Sequence, residues 1–137
     1  MRQTPYDMLG GEAGVRALAA AFYDAMDRLE EAHDIRVMHA ANLDEIKDKL
    51  FEYLSGWLGG PPLYRQKYGG ICLTKAHAPY AIGEKERDQW LRCMEEALIE
   101  VGAPEELRQA AKVPFFRIAD TVRNRRDDTA ASSAHAC

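Results

Sequence analysis

The sequence predicts an all-α protein. Apolar residues recur at steps of three and four in four separate segments, which is the period of an amphipathic α-helix. No segment shows the strict alternation of apolar and polar residues that marks a β-strand. The chain has 137 residues, of which 47% are hydrophobic, enough for one buried core. We therefore expect one helical domain over residues 1–125 and a flexible polar tail over residues 126–137.

The first two long helices are predicted from their apolar faces. The first covers residues 12–30, and its apolar positions are Val15, Leu18, Phe22, Met26 and Leu29. The second follows Asn42, which forms a capping-box pattern with Glu45 three positions later and precedes apolar residues at helical spacing. This second helix is expected to end near Gly59 and Gly60, because paired glycines interrupt helices.

Two more helices are predicted in the last third of the chain. One begins after Gly83 with two acidic residues in its first turn, where the helix dipole favours negative charge, and ends at Gly102. The other has Pro104 in its first turn and continues at helical spacing to about Val122. Pro114 is expected to kink this last helix, because proline lacks the backbone N–H.

The segment 59–83 lies between the second and third helices and has no sustained period. Such segments are uncommon in compact domains above about 12 to 15 residues, and those that exist are usually functional or disordered. This one is rich in glycine and proline but also contains Leu63, Tyr64, Tyr68, Ile71, Leu73, His77, Tyr80 and Ile82. We infer that this segment is folded, with its apolar and aromatic side chains packed over another part of the protein or a bound group.

Charge and composition argue against several classes of partner. The formal net charge is −4, so the chain carries no excess of positive charge to attract nucleic acid or an anionic membrane. No apolar run approaches the roughly 18 to 20 residues that a membrane helix needs, and the N-terminus has no apolar core of a signal peptide. We therefore expect a cytoplasmic protein that binds neither nucleic acid nor membranes.

The three cysteines do not predict a disulfide framework or a zinc site. Cys72, Cys93 and Cys137 are widely separated, odd in number and not paired at metal-ligand spacing. Cys93 lies in an apolar helical stripe and is interpreted as a small core residue. Common catalytic motifs, such as a phosphate-binding loop, a nucleophile elbow or a zinc-binding helix, do not occur in the sequence.

His77 is the best candidate for a metal ligand. Three histidines precede the tail, His33, His39 and His77, and a lone histidine is more often a hydrogen-bonded surface or core residue than a ligand. His77 differs from the others because it lies inside the irregular segment, where Pro79 stiffens the chain just after it. An imidazole held in this way suits the metal of a planar cofactor, which needs only one protein ligand.

Four motifs give the sequence a resemblance to a known family. They are Phe22-Tyr23 late in the first long helix, LGGPPLY at 58–64, HAPYAI at 77–82 and ERDQWLRCM at 86–94. In order and spacing they resemble the signature of the group II truncated haemoglobins, and the similarity covers roughly residues 5–122. The resemblance implies a truncated globin-like two-on-two helical sandwich that encloses haem b, with the proximal histidine carried by the glycine-rich segment and a short helix.

The resemblance also assigns roles to individual residues. His77 corresponds to the proximal ligand of the haem iron, and Tyr23, Trp90 and His39 correspond to the polar residues on the distal side. The residues expected to contact haem are Phe22, Ile46, Lys49, Leu50, Tyr64, Lys75, Tyr80, Ile82 and Met94. Among these, Ile46 and Leu50 line the distal wall, and the two lysines and Tyr64 are candidates for contacts with the haem propionates. The sequence departs from the family at His39, where tyrosine or phenylalanine is more usual, and at Ala76, where arginine is common.

The function implied is reversible binding of dioxygen and other diatomic ligands, among them carbon monoxide, nitric oxide and cyanide, with an electron-donating reductase as partner. Two distal hydrogen bonds of about 1 kcal/mol each would slow ligand release by roughly 30-fold. A haem-based redox enzyme, acting as a peroxidase or in detoxification of nitric oxide and reactive species, is the alternative. A haem-free helical interaction module is a third hypothesis, against which the context of His77 argues. A further hypothesis makes His39 or Tyr23 a sixth iron ligand in the unliganded protein.

Overall fold

The computed structural model describes residues 3–70 and 73–124, and within these residues all regular structure is helical. The α-helices are α1 (Pro5–Met8), α2 (Gly11–Arg28), α3 (His33–Arg36), α4 (Asp44–Trp57), α5 (Leu63–Tyr68), α6 (Leu73–His77), α7 (Glu84–Glu100) and α8 (Glu105–Thr121). A 3-10 turn, Glu30–Ala32, joins α2 to α3. The predicted all-α class is confirmed. The expected tail and Cys137 lie outside the described residues, as do Ile71 and Cys72.

Helix α2 is the centre of the core. It packs against α7 on one side and α4 on the other, and α8 covers α7. The predicted apolar face of α2 is buried, with Val15, Leu18 and Phe22 at 0% exposure. Cys93 of α7 is buried in the same core, as predicted, and burial raises the pKa of its thiol to about 11. These two helices therefore form the frame on which the rest of the chain is arranged.

The start of α4 differs from the sequence prediction. Asn42 Oδ1 accepts a hydrogen bond from Asp44 N at 2.8 Å, and the helix begins at Asp44 with Leu43 at its N-cap. The predicted capping box with Glu45 is therefore wrong. Asn42 lies one residue too early to cap the helix, so its side chain makes a local turn of the kind that asparagine favours.

The predicted ends of the other long helices are close to the observed ones. Helix α2 ends at Arg28, because Leu29 has an extended backbone, and the chain then turns through the 3-10 turn into α3. Pro104 is the N-cap of α8, just outside the first turn in which it was predicted. Helix α8 continues through Pro114 to Thr121.

The segment 59–83 contains two short helices, α5 and α6, that its sequence does not predict by period. The start of the segment is held against α1, since Tyr6 N donates to Leu58 O at 2.9 Å. A Cβ on Gly60 would lie 2.2 Å from the Tyr6 ring, so only glycine allows this close approach. Ser55, which is fully buried in α4, donates its hydroxyl to Pro61 O at 2.7 Å.

Asn124, the last described residue, is hydrogen-bonded to the segment 59–83. Its backbone N donates to Ile82 O at 2.7 Å, and its side chain bonds the same segment. Asn124 belongs to the predicted domain of residues 1–125, and the prediction of a tail over 126–137 stays a prediction. The polar character of Asn124 serves hydrogen bonding to a distant part of the chain, which composition does not reveal.

Candidate functional site

An aromatic cluster lies where α2 faces α7. The Phe22 ring contacts the Tyr23 ring edge-on at 4.8 Å between centroids and the Trp90 ring at 5.2 Å. The cluster continues from Tyr23 to His39 at 5.6 Å and from Trp90 to Phe115 at 5.9 Å. The structure therefore brings together the three polar residues predicted on the distal side, although they come from three separate parts of the chain.

The tautomer of His39 follows from its hydrogen bond. Its Nδ1 lies 2.7 Å from Ile35 O, and because a carbonyl only accepts, Nδ1 carries the proton and Nε2 carries the lone pair. Burial lowers the pKa of His39; the hydrogen bond to Ile35 O opposes this, and the positive charge of Arg36 lowers it further. His39 is therefore neutral at neutral pH, with Nε2 as an acceptor.

The backbone before His39 is held by a buried amide that the sequence analysis missed. Gln89 of α7 is 8% exposed, and its Oε1 accepts from Ile35 N at 3.2 Å while its Nε2 donates to Asp34 Oδ2 at 3.0 Å. The available signal was position, because Gln89 lies four residues before the buried Cys93 and so on the same apolar helix face. A polar residue there needs a buried partner.

The backbone after His39 is held by Arg36. Its guanidinium donates to Ala40 O at 3.0 Å and Ala41 O at 3.1 Å, and it pairs with Asp27 Oδ1 of α2 at 2.8 Å. The arginine side chain is 21% exposed, so these bonds are partly shielded from water. The loop that carries His39 is therefore fixed on both sides.

His77 is the last residue of α6 and is partly buried. Its Nδ1 lies 2.8 Å from Leu73 O and therefore donates a proton to that carbonyl, which leaves the Nε2 lone pair available. Histidines that bind metals usually donate the second ring nitrogen in this way.

The remaining residues expected at haem fall into two groups. Met94 of α7 and Ile82 are buried at 1% and 8% exposure, while Ile46 and Leu50 of α4 are partly buried against the core. These four provide apolar surface. Their predicted contacts with haem stay predictions.

The polar members of the set are more exposed. Tyr64 packs on Tyr68 at 4.6 Å, and Lys49 Nζ lies 5.8 Å from the centroid of the same Tyr68 ring, so these residues form one cluster between α4 and α5. Lys75 and Tyr80 are exposed near His77, with Tyr80 at 43%. Their predicted contacts with propionates or haem stay predictions.

The donor set fits a haem better than a metal ion held by protein alone. Among the described residues, no group of three His, Cys, Asp or Glu side chains is placed to hold a metal ion. A metal at His77 would need most of its ligands from a non-protein group, and a porphyrin supplies four nitrogens. Thr74 Oγ1, three residues before His77, is buried without a hydrogen-bond partner in the described part of the chain. A partner atom from a bound group would offset the cost of that buried hydroxyl.

No helix in residues 3–70 or 73–124 combines the length and the apolar content that crossing a membrane requires.

Comparison with known proteins assigns the family. The model of the bacterial-like globin family matches residues 4–124. The chain is 32% identical over 105 residues to the group 2 truncated hemoglobin YjbI of Bacillus subtilis, a match that covers 77% of this chain and 76% of that protein.

Solved structures agree with this assignment. The cold-adapted truncated hemoglobin of the Antarctic marine bacterium Pseudoalteromonas haloplanktis TAC125 is 43% identical with a TM-score of 0.86, covering 90% of this chain and 99% of the other. The group II 2-on-2 hemoglobin of the plant pathogen Agrobacterium tumefaciens is 39% identical with a TM-score of 0.85, covering 92% and 97%. The chain therefore belongs to the bacterial-like globins and is a haem-binding globin of the group II truncated haemoglobin type.

Proposed function

We propose that this globin binds haem b through His77 Nε2 and holds diatomic ligands, dioxygen first among them, on the side of Tyr23 and Trp90. The observation that carries the proposal is the hydrogen bond between His77 Nδ1 and Leu73 O at 2.8 Å, which places the proton on Nδ1 and leaves Nε2 as the ligating atom. Bound haem iron supplies one open coordination position for a small ligand. Carbon monoxide, nitric oxide and cyanide fit the same position.

Tyr23 and Trp90 are the proposed hydrogen-bond donors to the ligand. Tyr23 is 5% exposed, and burial raises the pKa of its hydroxyl, so the hydroxyl keeps its proton across the physiological pH range. The indole Nε1–H of Trp90 only donates. Two such donors of about 1 kcal/mol each would slow ligand release by roughly 30-fold.

His39 has a different part in this proposal from the one expected from the sequence. With Nδ1–H donated to Ile35 O, the neutral ring offers an acceptor at Nε2 and no second N–H. In this proposal His39 Nε2 accepts a hydrogen bond and does not donate one to the ligand. The Tyr23 hydroxyl is the neighbouring donor.

The first test is the absorption spectrum of the purified protein in its ferric, ferrous and oxygen-exposed forms. We expect a Soret band in all three and a stable oxygen-exposed spectrum. Tyr23→Phe is expected to speed oxygen dissociation about five-fold, the effect of one hydrogen bond of about 1 kcal/mol. Tyr6→Phe, in α1, is the matched control. A protein without a Soret band after expression with haem available would instead support the haem-free interaction module, and an unchanged dissociation rate in Tyr23→Phe would remove the proposed donor.

Peroxide-dependent redox catalysis is a second candidate, and the tautomer of His39 favours it. A neutral Nε2 beside the distal cluster can accept a proton from hydrogen peroxide, which is general-base catalysis. Steady-state turnover with peroxide and a reducing substrate tests this candidate. Turnover equal in wild type and His39→Phe would exclude the base. Dioxygen binding needs ferrous iron, so an electron-donating reductase is part of the first proposal, whereas peroxide turnover takes its electrons from the reducing substrate.

A further inference from the structure

The segment that follows His77 has little apolar packing of its own. Residues 78–81 are all exposed, and α6 makes few contacts with the other helices within the described residues. A histidine that binds iron must keep its orientation, because metal sites depend on the groups that hold their ligands. Something other than core packing must therefore hold this segment.

Asn124, which lies just after α8, supplies hydrogen bonds to this segment. Its Nδ2 donates to His77 O at 3.3 Å and to Tyr80 O at 2.7 Å, and its Oδ1 accepts from Ile82 N at 2.9 Å. Its backbone N–H donates to Ile82 O at 2.7 Å. One asparagine therefore satisfies backbone groups on both sides of the turn that begins at His77.

The bond to His77 O is especially informative. His77 ends α6, and its carbonyl, which has no partner within the helix, accepts from Tyr80 N at 3.1 Å in the turn that follows. Asn124 donates to that carbonyl while Leu73 O accepts the proton of the His77 ring. The histidine is thus held at its backbone by Asn124, which follows α8, and at its ring by α6.

The chain just before Asn124 is tied to α7 by charged groups at the end of α8. Asp120 Oδ1 accepts from Arg87 Nη1 of α7 at 3.0 Å and from Arg123 Nε at 2.9 Å. The Arg87 side chain is 13% exposed, so this link between α7 and α8 is largely shielded from water. The connection therefore runs from the core helix α7 through α8 to Asn124.

We propose that Asn124 is a positioning residue that sets the orientation of His77 towards the haem iron. The inference rests on the proposed function, in which His77 is the proximal ligand. Under this proposal the strength of the iron–histidine bond depends on Asn124, which follows α8 and lies 47 residues from His77 in sequence.

The test compares Asn124→Ala, Asn124→Asp and a matched control in the haem-loaded protein. Asp keeps an acceptor for Ile82 N but loses the amide donor to His77 O and Tyr80 O, so the two variants separate the two halves of the contact. The control, Asn42→Ala, removes an exposed asparagine whose side chain accepts a local hydrogen bond from Asp44 N. The measurements are the rate of haem transfer to a scavenger protein and the iron–histidine stretching band in the resonance Raman spectrum of the ferrous protein.

We expect both Asn124 variants to lose haem roughly ten-fold faster or more, the consequence of losing two or more hydrogen bonds, and to shift or broaden the iron–histidine band. Asn42→Ala should leave both readouts as in wild type even if its melting temperature falls. In the apoprotein, amide exchange of Ile82 should become faster in Asn124→Ala and stay unchanged in Asn42→Ala.

A purely structural role gives a different result. If the Asn124 variants melt earlier but keep the wild-type band and the wild-type rate of haem loss, the inference is overturned while the proposed function stands. If Asn124→Ala does not fold, Asn124→Asp decides by the same readouts. A wild-type protein with no Soret band would overturn the proposed function and this inference together.

Discussion

His39 and His77 make the same hydrogen bond in different surroundings. Each donates Nδ1–H to the carbonyl four residues earlier, at 2.7 Å for His39 and 2.8 Å for His77, and each is left with a lone pair on Nε2. His39 follows a helix held by buried Gln89 and by Arg36. His77 ends a short helix and precedes an exposed turn whose described side-chain partner is Asn124.

The hydrogen bond from Nδ1 fixes the tautomer of each histidine but not its role in the protein. A bond from Nδ1 to the fourth preceding carbonyl forms inside one helical turn, so it depends on few neighbours. Which histidine accepts a proton and which binds iron depends instead on what the rest of the fold places around Nε2. Four sets of substitutions test the two histidines and the groups that hold them, beginning with the largest expected effect.

Replacing each histidine by alanine gives the largest contrast. We expect His77→Ala to lose most of its bound haem, because the iron loses its protein ligand, and added imidazole to restore the Soret band. His39→Ala should retain haem, and His33→Ala, at an exposed position, is the control. Haem content per chain from the absorption spectrum measures all three. Equal haem loss in the His39 and His77 variants would contradict the assignment of the proximal side.

Replacing Gln89, whose buried amide holds the backbone before His39, should lower the free energy of unfolding. Gln89→Leu leaves Ile35 N without its partner in a buried position, which costs about 1 to 3 kcal/mol of unfolding free energy. Gln109→Leu is the control, since Gln109 is exposed on α8 and surface changes usually stay within about 0.5 kcal/mol. Urea unfolding of the two variants measures the difference. Equal losses would show that Gln89 does not hold this helix.

The acceptor role of His39 predicts a smaller, kinetic effect. In His39→Phe the Tyr23 hydroxyl loses a competing acceptor, so it remains free to donate to the ligand. We expect oxygen dissociation to stay the same or become slower, in contrast to the faster dissociation in Tyr23→Phe. Stopped-flow dissociation at neutral pH measures both. An increase of about five-fold in His39→Phe, the value for one lost hydrogen bond, would mean that His39 is a donor after all.

The smallest expected effect concerns the response to acid of the Asp120 ion pairs, which tie α8 to α7 just before Asn124. Burial raises the pKa of Asp120, but the hydrogen bonds and charges of Arg123 and Arg87 outweigh it, so the folded-state pKa is below the ordinary 3.8. The carboxylate therefore stabilises the fold above its unfolded pKa, and this contribution is lost as pH falls through the folded pKa.

Asp120→Asn should accordingly be less stable than wild type at neutral pH, with the difference shrinking between about pH 5 and pH 3. Asp88→Asn, at an exposed partner of the same Arg87, is the control. Thermal unfolding across this pH range provides the measurement. A constant difference at every pH would show that the ionised Asp120 has no role in the link.

The sequence predicted the parts of the fold that depend on local pattern. The four long helices were found because Leu18, Phe22 and Met94, among others, recur at helical spacing and are buried in the core. The short helices α3, α5 and α6 have too few residues to show a period, and only the family resemblance indicated a short helix near His77. The site residues came from ordered motifs rather than from periodicity, and their contacts with haem are still predictions.

Helical period and ordered motifs are properties of neighbouring residues, so the sequence is enough to predict the long helices, the family and the candidate ligand. How the two histidines are held depends on the tertiary structure. Gln89 meets Ile35 across 54 residues and Asn124 meets His77 across 47, and each makes a hydrogen bond to a backbone group of a distant segment. Such partners are chosen by packing in three dimensions, so neither a glutamine in an apolar stripe nor an asparagine before a polar tail reveals them.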